Sequence, residues 1–198
     1  MVMGALLAVM TGCFPSSSDL YNEARDVYMS MRSEIAALQL HIFDGEWAVG
    51  EYGDVPNGCG ADGYNFYVQR GTPLESNWRM SAPTAPDMAD ELMDWLEGRG
   101  WTGIVGRTYA AGVSSVTVEA EKRSSYIDDL LITISSGVEN DIVTIRATST
   151  CEAGDRWELR ELMFPDNLFD YDVVEREHPT ETPKFGMATP APTASPES

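Results

Sequence analysis

The chain has 198 residues, of which 43% are hydrophobic and 10% aromatic, enough for one ordinary core plus extensions. Its 32 acidic and 13 basic residues give a net charge of -19. That charge repels phosphate backbones and anionic lipid head groups, and argues against nucleic acid as a partner.

Residues 1–12 carry no charge and form an apolar run far shorter than the roughly 20 residues of a membrane span. The run ends in Met10-Thr11-Gly12-Cys13, which resembles a bacterial lipobox: a large apolar residue, two small ones, then the cysteine that takes a diacylglyceryl group. The resemblance implies cleavage after Gly12 and lipidation of Cys13, with residues 1–12 as signal peptide. Because a positive segment before the apolar run is missing, the start codon is expected upstream of Met1. Phe14-Pro15-Ser16-Ser17-Ser18 then reads as a polar tether over 13–18.

Leu20, Ala24, Val27, Met31, Ile35 and Leu38 recur at steps of three and four, predicting an amphipathic helix of about five turns. Trp47 to Tyr52 reads as a first strand. The turn formers Pro56-Asn57-Gly58-Cys59-Gly60 put Cys59 on or beside a loop. Tyr64, Phe66 and Val68 alternate with polar neighbours as a second strand. Thr84 can cap a second helix with Pro86 and Asp87 in its first turn and Met88, Leu92, Trp95 and Leu96 on one face, stopped by Gly98-Arg99-Gly100. Four strands follow, at about 102–109, 113–121, 126–135 and 142–150, with a hairpin turn at 136–141.

Trp157, Leu159, Leu162, Met163 and Phe164 predict one more short element. From Asp166 acidic residues dominate, and Pro179 to Ser198 is rich in Pro, Thr, Ala and Ser, so 166–198 is expected to be a disordered tail and a candidate for O-glycosylation. The fold class is therefore α+β over 19–165: an antiparallel sheet of about five to six strands with two main helices on one face.

Setting Cys13 aside leaves Cys59 and Cys151, an even pair in an exported chain, and predicts a disulfide closing about 90 residues, worth on the order of 4–5 kcal/mol by chain entropy. Catalytic signals are weak. His41 and His178 are isolated, and no G-x-S-x-G, P-loop or H-E-x-x-H occurs. The serine pairs Ser114-Ser115, Ser124-Ser125 and Ser135-Ser136 read as strand-edge and turn residues.

Glu119, Glu121, Asp128 and Asp129 converge near one hairpin and are the candidates for acid and base work, with a solvated sheet edge as the commoner reading. Asp166, Asp170 and Asp172 lack the glycine-centred loop of a calcium hand. Of Trp47, Trp78, Trp95, Trp101 and Trp157, most should be core and a pair is expected to be exposed. The expectation is no catalytic residue, no metal and no cofactor.

The lipobox, the long helix, the Trp-strand-Cys segment, the helix closing in Gly100-Trp101 and the strands ending at Ser149-Thr150-Cys151 together resemble small actinobacterial lipoproteins of the LppA type over about 13–151. That resemblance implies an exported envelope protein held on the outer face of the cell membrane by lipid on Cys13, with a disulfide and no catalytic residues to carry over. The partner is then an envelope protein, glycan or lipid component. An envelope hydrolase using carboxylates or a cryptic serine is the alternative.

Overall fold

The computed structural model describes residues 16–51, 54–72, 77–108, 115–165 and 175–186. The fold is α+β, with a large antiparallel sheet and three helices. Helix α1 (Ser17–Ile42) opens on a capping box: the Ser16 hydroxyl accepts from the Asp19 N–H, and the Asp19 carboxylate accepts from the Ser16 N–H. The helix thus begins inside the 13–18 stretch read as a tether, because Ser16 ends the tether by capping. It is also longer than five turns, at 26 residues, and buries Leu20, Ala24, Val27, Met31, Ile35 and Leu38 on one face.

The sheet runs in the order β4-β5-β6-β7-β3-β1-β9, built from β4 (Thr102–Thr108), β5 (Ser115–Lys122), β6 (Ile127–Ser135), β7 (Ile142–Ser149), β3 (Gly63–Gly71), β1 (Trp47–Val49) and β9 (Arg176–Glu177). Two further strands, β2 (Pro56–Cys59) and β8 (Glu152–Ala153), pair with the first half of β3, while its second half pairs with β7 and β1. Registers align Val118, Ile132, Ile145 and Arg70 in one row across four strands. The aliphatic members of that row, and their neighbours two residues away, are fully buried against α1 and α2.

Helix α2 (Ala85–Gly98) starts where Thr84 accepts from the Asp87 N–H, and ends at Arg99 and Gly100, the latter at φ +79°. Helix α3 (Arg156–Met163) is capped by Asp155, which accepts from the N–H groups of Trp157 and Glu158. Cys59 and Cys151 are joined in a disulfide with Cα atoms 5.8 Å apart. The pairing suggested by the even cysteine count is therefore present.

Among the described residues, nine strands and three helices replace the five to six strands and two main helices expected. The surplus lies in β2, β8 and β9, each two to four residues long, too short to display a period. Pro56 opens β2 at a position an edge strand tolerates, so turn-forming residues there become a strand carrying Cys59. β1 ends at Val49, short of the Tyr52 expected.

The larger correction concerns the tail. Residues 175–186 belong to the fold: β9 pairs with β1 in the register Trp47↔Glu177, and Phe185 is buried in the core against Tyr21, Tyr28 and Phe66. Composition counted these residues as too polar to order, yet one aromatic and one neutralised carboxylate suffice. Gly186 closes the segment at φ +66°, where a Cβ would stand 2.5 Å from the Met163 carbonyl oxygen. The rest of 166–198 and Cys13 lie outside the described residues.

Candidate functional site

The strongest concentration of chemistry lies between α1 and the sheet, on residues that sequence patterns passed over. Tyr28, Arg32 and Gln39 occupy the buried face of α1, Arg70 the core face of β3, Asp54 the turn before β2, and Glu177 the last strand. Arg70 forks between two carboxylates. Its Nη1 and Nη2 donate to Asp54 at 2.8 and 2.6 Å, and its Nε and Nη2 donate to Glu177 at 2.6 and 2.9 Å. Arg32 Nη2 donates to both Glu177 oxygens at 2.7 and 2.8 Å, and its Nε lies 3.5 Å from Asp54. Tyr28 donates its hydroxyl to Asp54 at 2.9 Å, and the Gln39 amide reaches Glu177 at 3.4 Å.

Two guanidinium groups thus face two carboxylates, all largely removed from water. Burial alone would raise the Asp54 carboxyl, but Arg70, then Arg32 and the Tyr28 hydroxyl, hold it below the usual range. Glu177 likewise is pushed up by burial and brought below the usual range by Arg70 and Arg32. Burial, followed by the charge of Asp54, keeps Tyr28 protonated far into alkali. No member is left as a free base at neutral pH. Chemically the cluster is a clasp that neutralises itself and fastens 175–186 to the first helix.

Beside the clasp, the segment after β9 crosses the outer face of α1 and leaves a groove of about 380 Å³. Its walls are Met29, Ser33, Ala36, Ala37 and Leu40 on one side and Pro179 to Pro183 on the other. The side chains at Ala36 and Ala37 are small, and Met29, Leu40 and the two prolines are the larger apolar groups of the lining.

Of the residues singled out from the sequence, Glu119 and Glu121 lie on the sheet face opposite the helices and are engaged by arginines. Arg107 donates to Glu119 at 2.8 and 2.9 Å, and Arg123 bridges Glu121 at 3.3 Å and Asp128 at 3.1 Å. The hydrogen bond from Arg107 holds Glu119 below the usual carboxylate range. Asp129 alone moves the other way: partial burial, with Glu119 and Asp128 nearby, raises its carboxyl.

His41 stacks on Trp95 at 4.7 Å between ring centroids, and burial, countered by Glu91, lowers its imidazole. His178, expected in a loose tail, follows β9 with Nδ1 2.7 Å from the Thr180 hydroxyl. Ser115 and Ser135 bond to each other across β5 and β6 at 2.8 Å, and Ser124 and Ser125 lie in the 3-10 turn between β5 and β6. Ser114, Asp166, Asp170 and Asp172 lie outside the described residues.

Trp47 and Trp101 are core, Trp78 and Trp95 half-buried, and Trp157 is exposed singly rather than in the expected pair. Among the described residues no group of three or more His, Cys, Asp or Glu could hold a metal ion, and no helix is long and apolar enough to cross a membrane.

The clasp did leave a trace in the sequence. Arg70 continues the core phase of Phe66 and Val68, and Tyr28, Arg32 and Gln39 follow one helix face at spacings of four and seven. Polar groups in buried phase demand partners, but nothing local names them. Comparison with protein-family models, with curated proteins and with solved structures finds no match for the chain.

Proposed function

We propose that the chain is an exported bacterial surface lipoprotein of the actinobacterial LppA kind, lipid-anchored through Cys13, whose domain is a non-catalytic binding module of the cell envelope. The observation that carries it is a spacing. The described fold opens on a capped helix three residues after Cys13, so cleavage before Cys13 leaves α1 and its cap whole and hands the lipid directly to a folded body. The Cys59–Cys151 disulfide supports an oxidising compartment.

The groove along α1 is the concave, mostly apolar surface suited to a partner. The strongest charges elsewhere are spent on one another. In a bacterium that processes lipoproteins, the wild-type protein is expected to incorporate an alkyne-tagged fatty acid and sediment with membranes. Cys13→Ser is expected to lose both properties. A photoreactive residue at Ala37, in the groove, should capture an envelope component, whereas one at Thr133, on the opposite sheet face, should not. Equal labelling of Cys13→Ser and wild type would sink the anchor, and equal capture from both positions would sink the groove.

One observation favours the alternative, an envelope hydrolase working through carboxylates: partial burial, then Glu119 and Asp128, raise the Asp129 carboxyl while Arg107 holds Glu119 low, a raised and a lowered carboxyl being the pattern acid and base pairs use. Turnover of envelope esters or glycans that disappears in Asp129→Asn would decide for it.

A further inference from the structure

Trp157 is 47% exposed, the most open tryptophan among the described residues. The Arg156 guanidinium lies 4.6 Å from its ring centroid and covers one face. Arg156 itself rests across Gly58 of β2, where an added Cβ would meet its Nη1 at 2.7 Å. The next residue, Glu158, accepts a hydrogen bond from the Ser17 hydroxyl. Trp157 and Arg156 are thereby fixed beside the first turn of α1.

That place is set by Cys13. Two residues separate Cys13 from Ser16, and an extended chain covers at most about 11 Å over those three steps. If Cys13 bears lipid in a bilayer, the first turn of α1 and the α3 turn beside it stand at head-group depth.

We propose that Trp157 and Arg156 form a bilayer contact, the indole entering the interfacial zone and the guanidinium meeting lipid phosphate. This rests on the lipid-anchored reading. Tryptophan favours that zone because one part of its ring is apolar and its N–H stays hydrated. Arginine suits phosphate through its planar fork. The carboxylates flanking the pair in sequence are held by hydrogen bonds, Asp155 as the cap of α3 and Glu158 to Ser17, and keep their charge.

A chain of net charge -19 has no electrostatic pull toward an anionic membrane. The contact is therefore too weak to recruit free protein and is populated because the tether raises the effective concentration of the membrane at this end of the domain.

The test uses full-length protein purified from membranes, with acylation of Cys13 read by mass, placed in phosphatidylethanolamine–phosphatidylglycerol vesicles containing lipid brominated on the acyl chain. Wild type is expected to lose tryptophan emission relative to unbrominated vesicles, and Trp157→Phe to lose none; because Trp157 is exposed, the variant keeps the wild-type fold. An acylated wild type that is not quenched, or equal quenching in Trp157→Phe, overturns the contact while leaving the anchor standing. A Cys13 without acyl mass overturns both. A photoreactive residue at position 157 that captures protein instead of phospholipid in cells also overturns the bilayer contact, in favour of a protein partner.

Discussion

Arg70 is the residue on which the interior turns. It sits in a row of aliphatic side chains, where lysine could offer one point charge but arginine offers a fork for two carboxylates at once. Removing one partner of such a set leaves a charge buried and uncompensated. Glu177→Gln is therefore expected to destabilise the protein by about 3–5 kcal/mol, read as a lowered urea midpoint with an unchanged slope; an unmoved midpoint would show that the clasp carries no stability. The need for partners at Arg70 and Arg32 was legible from their phase in strand and helix. Their identity was not, because Glu177 lies 107 and 145 residues away and is one of 32 acidic residues.

At the scale of elements, the segment 175–186 is a strap across α1, held at one end by charge and at the other by Phe185. Its charged end should respond to acid with a defined sign. Asp54 and Glu177 both sit below their usual values in the fold, while in the unfolded chain such groups titrate near about 3.9 and 4.3. The folded state binds fewer protons, so the stabilisation is complete above that range and is lost as pH falls through the depressed folded values. Amide protection factors over 175–186 are expected to stay level from neutral pH to about 4.5 and to fall below about 4. A decline already complete by pH 5 would assign control to another group.

Periodicity found most of the long elements: α1, α2, β3 and β5 to β7 each repeat their pattern often enough to be seen. It missed β2, β8 and β9 because two to four residues hold no period. Their pairing is supplied by β3 and β1 rather than by their own composition.

For the whole molecule, the sheet carries helices on one face, while Val105, Tyr67 and Arg146 are exposed on the other. The disulfide ties β2 to the chain leaving β7, bridging 92 positions in sequence. Replacing both cysteines by serine is expected to cost about 2–5 kcal/mol, measured as the difference in denaturant midpoint between the oxidised wild type and the Cys59→Ser/Cys151→Ser protein. Equal midpoints would show that the sheet alone secures this end. The α+β class was readable from alternating strands and two amphipathic helices, whereas the clasp, the groove and the strap depend on contacts that only the closed fold brings together.

The clasp also sets an order of assembly. A ribosome releases α1 before the sheet, yet its buried Arg32 waits for Glu177, 145 residues later. Helix α1 is thus among the last elements to find its native surroundings, and until Glu177 emerges Arg32 must remain in water or in borrowed contacts. A nascent chain of this kind keeps α1 without its native partner until the segment around Glu177 has been delivered.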